Sequence, residues 1–200
     1  MIVAALTGGI ASGKSEVLGE AESISGVRTL EADELAKEIY DPDNPCFPEV
    51  LDLLGEEVVT DDGSVDLELV SYMVFNDEEL LEELEEISHP YVKGRIEGIL
   101  ECYEKDNVRM VLVEIPLLFQ SSTVELDIFD LVILVLATGE DQLNRLVNRD
   151  GVSVEEAKER IALQKLPDEA RERSDYVIDA TKTVVRTREQ ARDLLTSLLE

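Results

Sequence analysis

A doubly wound α/β fold built on a parallel sheet is the architecture this sequence predicts, and three observations predict it. Short apolar runs without alternation recur along the chain, as in strands covered on both faces. Segments of helical spacing fill the intervals, the order expected of a parallel sheet with crossover helices. The first apolar run ends in a glycine-rich turn that leads into a helix.

The elements follow in order. Residues 2–6, IVAAL, stop at Thr7-Gly8-Gly9 and read as a buried strand, with a helix from Ser15. VRTL at 27–30 is the second strand, and EADELAKEIY after it is helical through Leu35, Ala36 and Ile39. A proline-rich break, DPDNPCFP, precedes a short helix in EVLDLLG, and TDDGSVD is a turn. Helices are expected over 66–74 and 77–87, the second with Leu80, Leu81, Leu84 and Ile87 on one face and carboxylates on the other. Pro90 predicts a helix boundary, with a further helix in YVKGRIEGILECYE. VRMVLVEIP and FDLVILVL are strands, 140–172 is helical and arginine-rich, DYVID is the last strand and TREQARDLLTSLLE a closing amphipathic helix. The 200 residues fit a single domain, residues 1–200, with a helical insertion at about 33–105 and a helical lid at about 140–172.

Composition narrows the chemistry. Asp and Glu total 46 against 18 Lys and Arg, a formal net charge of −28, which repels nucleic acid and anionic lipid and makes neither an expected partner. Such a carboxylate surface would suit a salt-rich cytosol. No apolar run approaches the roughly 18 residues of a membrane span, and the first residues lack a basic leader, so cytoplasm is the expected location. Cys46 and Cys102 lie far apart without the neighbours a zinc site needs, and His89 is the single histidine, so triad and histidine–metal chemistries are set aside.

Against this charge stands LTGGIASGKS. Gly8, Gly13, Lys14 and Ser15 satisfy G-x-x-x-x-G-K-[ST], the P-loop pattern, whose backbone amides wrap phosphates. Gly9, Ala11, Ser12, Gly13, Lys14, Ser15 and Glu16 are the candidate ATP-binding segment. Lys14 would reach the terminal phosphates and Ser15 would ligate Mg²⁺, while the helix after them directs its positive end at the anion. Distant carboxylates do not defeat this, because the Debye length is about 8 Å at physiological ionic strength. Glu16 is unexpected: many P-loops carry Ser or Thr there, able to touch the α-phosphate.

A P-loop does not by itself say where the phosphoryl group goes. LTGGIASGKS, EADELAKEI, DGSVD…VF, HPYV, IPLLF, QLNRLVNRDGVSVEEAKERIALQ and SDYVID occur in the order seen in bacterial dephospho-CoA kinases, and over nearly its whole length the chain resembles that family. The resemblance implies a P-loop kinase that uses ATP and Mg²⁺ to phosphorylate the ribose 3′-hydroxyl of dephospho-CoA, with ATP and dephospho-CoA as its small-molecule partners. An alcohol must shed a proton, which makes a nearby carboxylate useful. Asp33 matches the second Asp of the family's D-A-D-x-x-A motif, just beyond the second strand, and is the candidate base; a helix N-cap is its structural alternative. Arg145 and Arg149, four apart, and then Arg160 are candidates to clamp the transferring group, against the alternative of surface pairing with Glu140, Asp141 or Asp150. His89 matches the family's His-Pro element beside the acceptor pocket, and Lys37 stands where the family commonly has arginine and could still offer a charge to the substrate. Glu31, Leu67, Gln120 and Ala180 depart from the family pattern, bearing on acceptor affinity at Leu67 and on the adenine contact at Ala180. A kinase for another small acceptor, such as a nucleoside monophosphate, and a non-catalytic nucleotide-binding homologue are the competing readings.

Overall fold

The computed structural model describes residues 1–116, 118–119, 126–164 and 166–200. By compactness the chain divides into two units, one formed by Met1–Glu31 with Tyr103–Glu200 and the other by Ala32–Cys102.

The first unit holds five parallel strands, β1 (Ile2–Thr7), β2 (Val27–Glu31), β3 (Met110–Glu114), β4 (Leu131–Leu136) and β5 (Tyr176–Asp179), in the spatial order β2-β3-β1-β4-β5. Central position explains the unbroken apolar runs. Ala4 and Leu6 of β1, Met110 and Leu112 of β3, and Ile133 and Val135 of β4 build a core with α1 (Lys14–Glu22) and α8 (Val184–Leu198). Their neighbours Ala5, Val111, Val113 and Leu134 are fully buried as well, so both faces of these strands are covered. Helices α6 (Gly139–Asp150) and α7 (Val154–Leu163) follow β4. A capping box starts α6: the Thr138 side chain accepts from the Asp141 amide, and Asp141 accepts in return. The Thr138 hydroxyl donates to Asp141 and holds that carboxyl below its usual range.

The second unit is helical: α2 (Ala32–Lys37), α3 (Phe47–Leu54), α4 (Leu67–Asn76) and α5 (Glu78–Lys105), the last running on into the first unit's residues. Ile39, Val50, Leu54, Val58, Val70 and Leu84 form its own core. TDDGSVD is a turn closed by a bridge between Val59 and Val65.

Two expectations are corrected. The helix boundary at Pro90 is absent, since α5 passes through Pro90 as one helix of 28 residues. Proline removes the amide that the Glu86 carbonyl would accept. Leu80, Leu84, Ile87 and Tyr91 on the same stretch lie against the unit's core, and this tertiary burial outweighs the local cost. The second correction is small: α2 begins at Ala32, so Asp33 sits inside its first turn rather than at the cap. Leu117 of IPLLF and Gln120 lie outside the described residues.

Candidate active site

Between β1 and α1 the chain makes a turn that side chains would obstruct. A Cβ on Gly8 would lie 2.6 Å from the Val135 carbonyl oxygen and 2.7 Å from the Ser12 hydroxyl, and the backbone oxygen cannot step aside. Ala11 takes φ +54°, and Gly13 is left-handed at φ +109° as the N-cap of α1. Gly13 offers no side-chain acceptor to the first turn of α1, and the helix end favours an anion there. Ser12 Oγ is buried and, among the described residues, has no hydrogen-bond partner, one more polar group turned into this loop.

The loop's carbonyls are turned to donors on α6. Gln142 Nε2 donates to Ile10 O at 2.7 Å, and Arg145 Nη1 donates to Ala11 O at 3.1 Å and Ser12 O at 2.8 Å. The second terminal nitrogen of Arg145 donates to Ala180 O beyond β5. With oxygens 10 to 12 held toward α6, the loop keeps its acceptors away from an incoming polyanion. Lys14 is buried; its Nζ donates to Gly8 O at 2.8 Å and Gly9 O at 3.3 Å and lies 3.6 Å from Glu114 Oε1. Glu114 ends β3, in register beside Leu6 of β1, so the sheet itself delivers a carboxylate to the lysine. Ser15, in the first turn of α1, is exposed. Glu16 Oε2 accepts from Arg188 Nε at 2.7 Å.

Arg145 reaches the loop, and Arg149 and Arg160 do not. Arg149 pairs with Asp150 (Nε to Oδ1, 2.5 Å), and Arg160 pairs with Glu156 at 2.7 Å while lying 3.9 Å from Asp150. The Arg149 hydrogen bond lowers the Asp150 pKa from its ordinary value and raises that of Arg149.

In the second unit, Asp33 and Lys37, one turn apart on α2, line a groove of about 300 Å³ with Tyr40, Leu81, Leu84 and Ser88. Lys37 Nζ donates to Glu34 at 2.5 Å. His89 follows Ser88 on α5 and is half-buried. The groove's two helices are tied by Glu38, which accepts from Tyr91 Oη at 2.6 Å, Arg95 Nε at 2.6 Å and Arg95 Nη2 at 3.1 Å. The Arg95 guanidinium holds the Glu38 carboxyl below its usual range.

Glu114, Gln142 and Arg188 are the neighbours of the loop that sequence reasoning missed. Glu114 closes an apolar strand, a position that marks it out once the strand is aligned beside β1. Gln142 and Arg188 sit on amphipathic helices among many polar residues and carry no signal of their own.

A parallel sheet with a glycine-capped helix end and a buried lysine between its central strand and first helix defines a P-loop nucleotide-binding fold. The family model for dephospho-CoA kinase matches residues 1–185. A dephospho-CoA kinase of Shouchella clausii is 36% identical over 95% of both chains. A Thermus thermophilus crystal structure superposes with a TM-score of 0.82 at 30% identity, covering 100% of this chain and 98% of that one. For dephospho-CoA kinase from Campylobacter jejuni the TM-score is 0.72 at 25% identity, with 98% and 96% covered. The chain belongs to the dephospho-CoA kinase family.

Proposed function

We propose that this protein transfers the γ-phosphoryl group of ATP to the ribose 3′-hydroxyl of dephospho-CoA, yielding ADP and coenzyme A in the last step of CoA biosynthesis. One observation carries the reading: a chain of the dephospho-CoA kinase family retains an intact phosphate loop, with Gly13 as the left-handed N-cap of α1 and Lys14 at its centre. The donor's phosphates would lie on the loop from Gly9 to Glu16, where Lys14 exchanges its loop carbonyls for phosphate oxygens.

In transfer, the 3′-hydroxyl oxygen forms a bond to the γ-phosphorus as the bond to the β,γ-bridging oxygen breaks. Asp33 accepts the hydroxyl proton, and ADP departs with the bridging oxygen. Lys37 and His89 would contact the acceptor. Arg145 would act from its place beside the loop, and Arg149 would join the phosphates by leaving Asp150 as α6 and α7 move like a lid.

Among the described residues no group of three or more His, Cys, Asp or Glu side chains could hold a metal by itself. That pattern fits Mg²⁺, which keeps phosphate and water oxygens and asks one or two ligands of the protein. The exposed Ser15 hydroxyl on the first turn of α1 is suited to be that ligand. When bound, the ion neutralises charge on the triphosphate. No helix among the described residues is long and apolar enough to cross a membrane, and a cytoplasmic location agrees with that.

The test is an acceptor panel with Mg-ATP. Dephospho-CoA should yield ADP and CoA in equal amounts while nucleoside monophosphates, adenosine and shikimate stay unchanged. Turnover confined to nucleotides, or ATP binding without turnover of any acceptor, rejects the assignment.

A further inference from the structure

We propose that Arg188 is a positioning residue for the donor nucleotide, acting through Glu16 by cancelling a negative charge at the N-terminal turn of α1. The inference rests on the ATP-dependent reading above and is independent of which acceptor is used.

Glu16 directly follows Ser15, where the loop's amides enter α1. A carboxylate on that turn would put a negative charge near the donor's phosphates, and at short range in a partly desolvated site such repulsion would cost several-fold or more in affinity. The loop's other charges leave little to absorb it: Lys14 already lies beside Glu114, and Arg145 is spent on the carbonyls of Ala11, Ser12 and Ala180. Arg188 meets the need from α8. Its Nε and Nη2 both lie 2.7 Å from Glu16 Oε2. The contact spans 172 residues of sequence and exists because Val17, Leu18 and Ala21 of α1 share a core with Ala191 and Leu195 of α8.

One turn further along both helices the same pairing recurs. Arg192 Nε and Nη2 lie 2.6 Å from Glu20 Oε1. The two rungs therefore provide an internal control. Both staple α1 to α8, but the second is a turn more distant from the phosphate loop. If stapling were the whole role, losing either arginine would lower the melting temperature and leave donor affinity alone.

The experiment measures Mg²⁺-dependent binding of a non-hydrolysable ATP analogue to the full chain by calorimetry, with Tm recorded in parallel. Arg188→Ala should weaken binding by about 10-fold, and Arg192→Ala by less than about twofold for a comparable loss of Tm. Arg188→Lys should keep most of the affinity. The deciding variant is Glu16→Gln combined with Arg188→Ala, which restores no bridge but removes the charge at nearly constant side-chain shape; it should bind severalfold more tightly than Arg188→Ala alone. Wild-type affinity in Arg188→Ala, or a double variant as weak as Arg188→Ala, overturns the proposal. No acceptor is present, so a chain that behaves as described here yet fails to phosphorylate dephospho-CoA refutes the acceptor assignment and leaves Arg188's role standing.

Discussion

Glu38 shows how a single side chain fixes a surface that the reaction would use. It gathers Tyr91 and Arg95 of α5 onto the 3₁₀ turn Glu38–Tyr40 that directly follows α2, and so sets the register of the groove in which Asp33 and Lys37 lie. Its folded pKa is depressed below 4.5, so its contribution to stability is present above that value and is lost as pH falls through the lower, folded value. Glu38→Gln should cost about 1 kcal/mol or less at pH 7, since the pair is partly exposed, and should flatten the acid limb of a Tm-against-pH curve below pH 4.5. An acid limb as steep as wild type would assign the loss to other carboxylates. This residue was invisible in the sequence, because its partners are 53 and 57 positions away. The phosphate loop was legible for the opposite reason: Gly8, Gly13, Lys14 and Ser15 act within eight consecutive residues, so spacing alone carries the chemistry. Asp33 came through resemblance rather than through any local pattern. Arg145 and Arg149 looked equivalent at their four-residue spacing, and the choice between them depended on Ala11, Ser12 and Ala180, which a linear reading does not bring near.

At the scale of elements, each of the five strands expected from the apolar runs is present, within two residues at most ends. Burial on both faces leaves an unbroken apolar signature that few other environments produce. The error fell on α5, where local propensity and tertiary burial disagree. Proline in a helix interior costs about 3 kcal/mol relative to alanine, partly offset because proline also restricts the unfolded chain. Pro90→Ala should therefore stabilise the protein by about 1–2 kcal/mol, a rise of several degrees in Tm at about 2–4 °C per kcal/mol for a chain of this size. A fall in Tm would mean that the proline directs α5 along a path the core requires. Helix α1 illustrates a different balance, since its left-handed glycine N-cap gives up the stabilisation of a side-chain cap.

For the whole molecule, strand order was the part that the sequence could not supply. Alternation of strands and helices implies a parallel sheet, but β1 stands between β3 and β4 through crossovers that no local pattern encodes. Charge is the other property of this scale. A net charge of −28 on 200 residues makes the folded chain repel itself, and salt screens that repulsion. Raising NaCl from about 0.1 to 1 M shortens the Debye length from about 10 to 3 Å, so Tm should climb with salt. A Tm that is flat or falls across this range would show the surface carboxylates to be compensated by their basic neighbours. The same screening reconciles an acidic protein with a polyanionic donor, because at the loop the opposing charges act at contact distance: Lys14 beside Glu114, Arg188 on Glu16.

In the proposed reaction the loop's amides and Lys14 would hold the donor, and Asp33 would take the proton from the acceptor's hydroxyl. The most direct measurement is the single-turnover rate of CoA formation by the wild type and Asp33→Asn at saturating Mg-ATP. Expected are a rate lower by about 10² to 10⁴ in Asp33→Asn and unchanged ATP affinity. An Asp33→Asn variant that turns over within a few-fold of wild type would contradict that role.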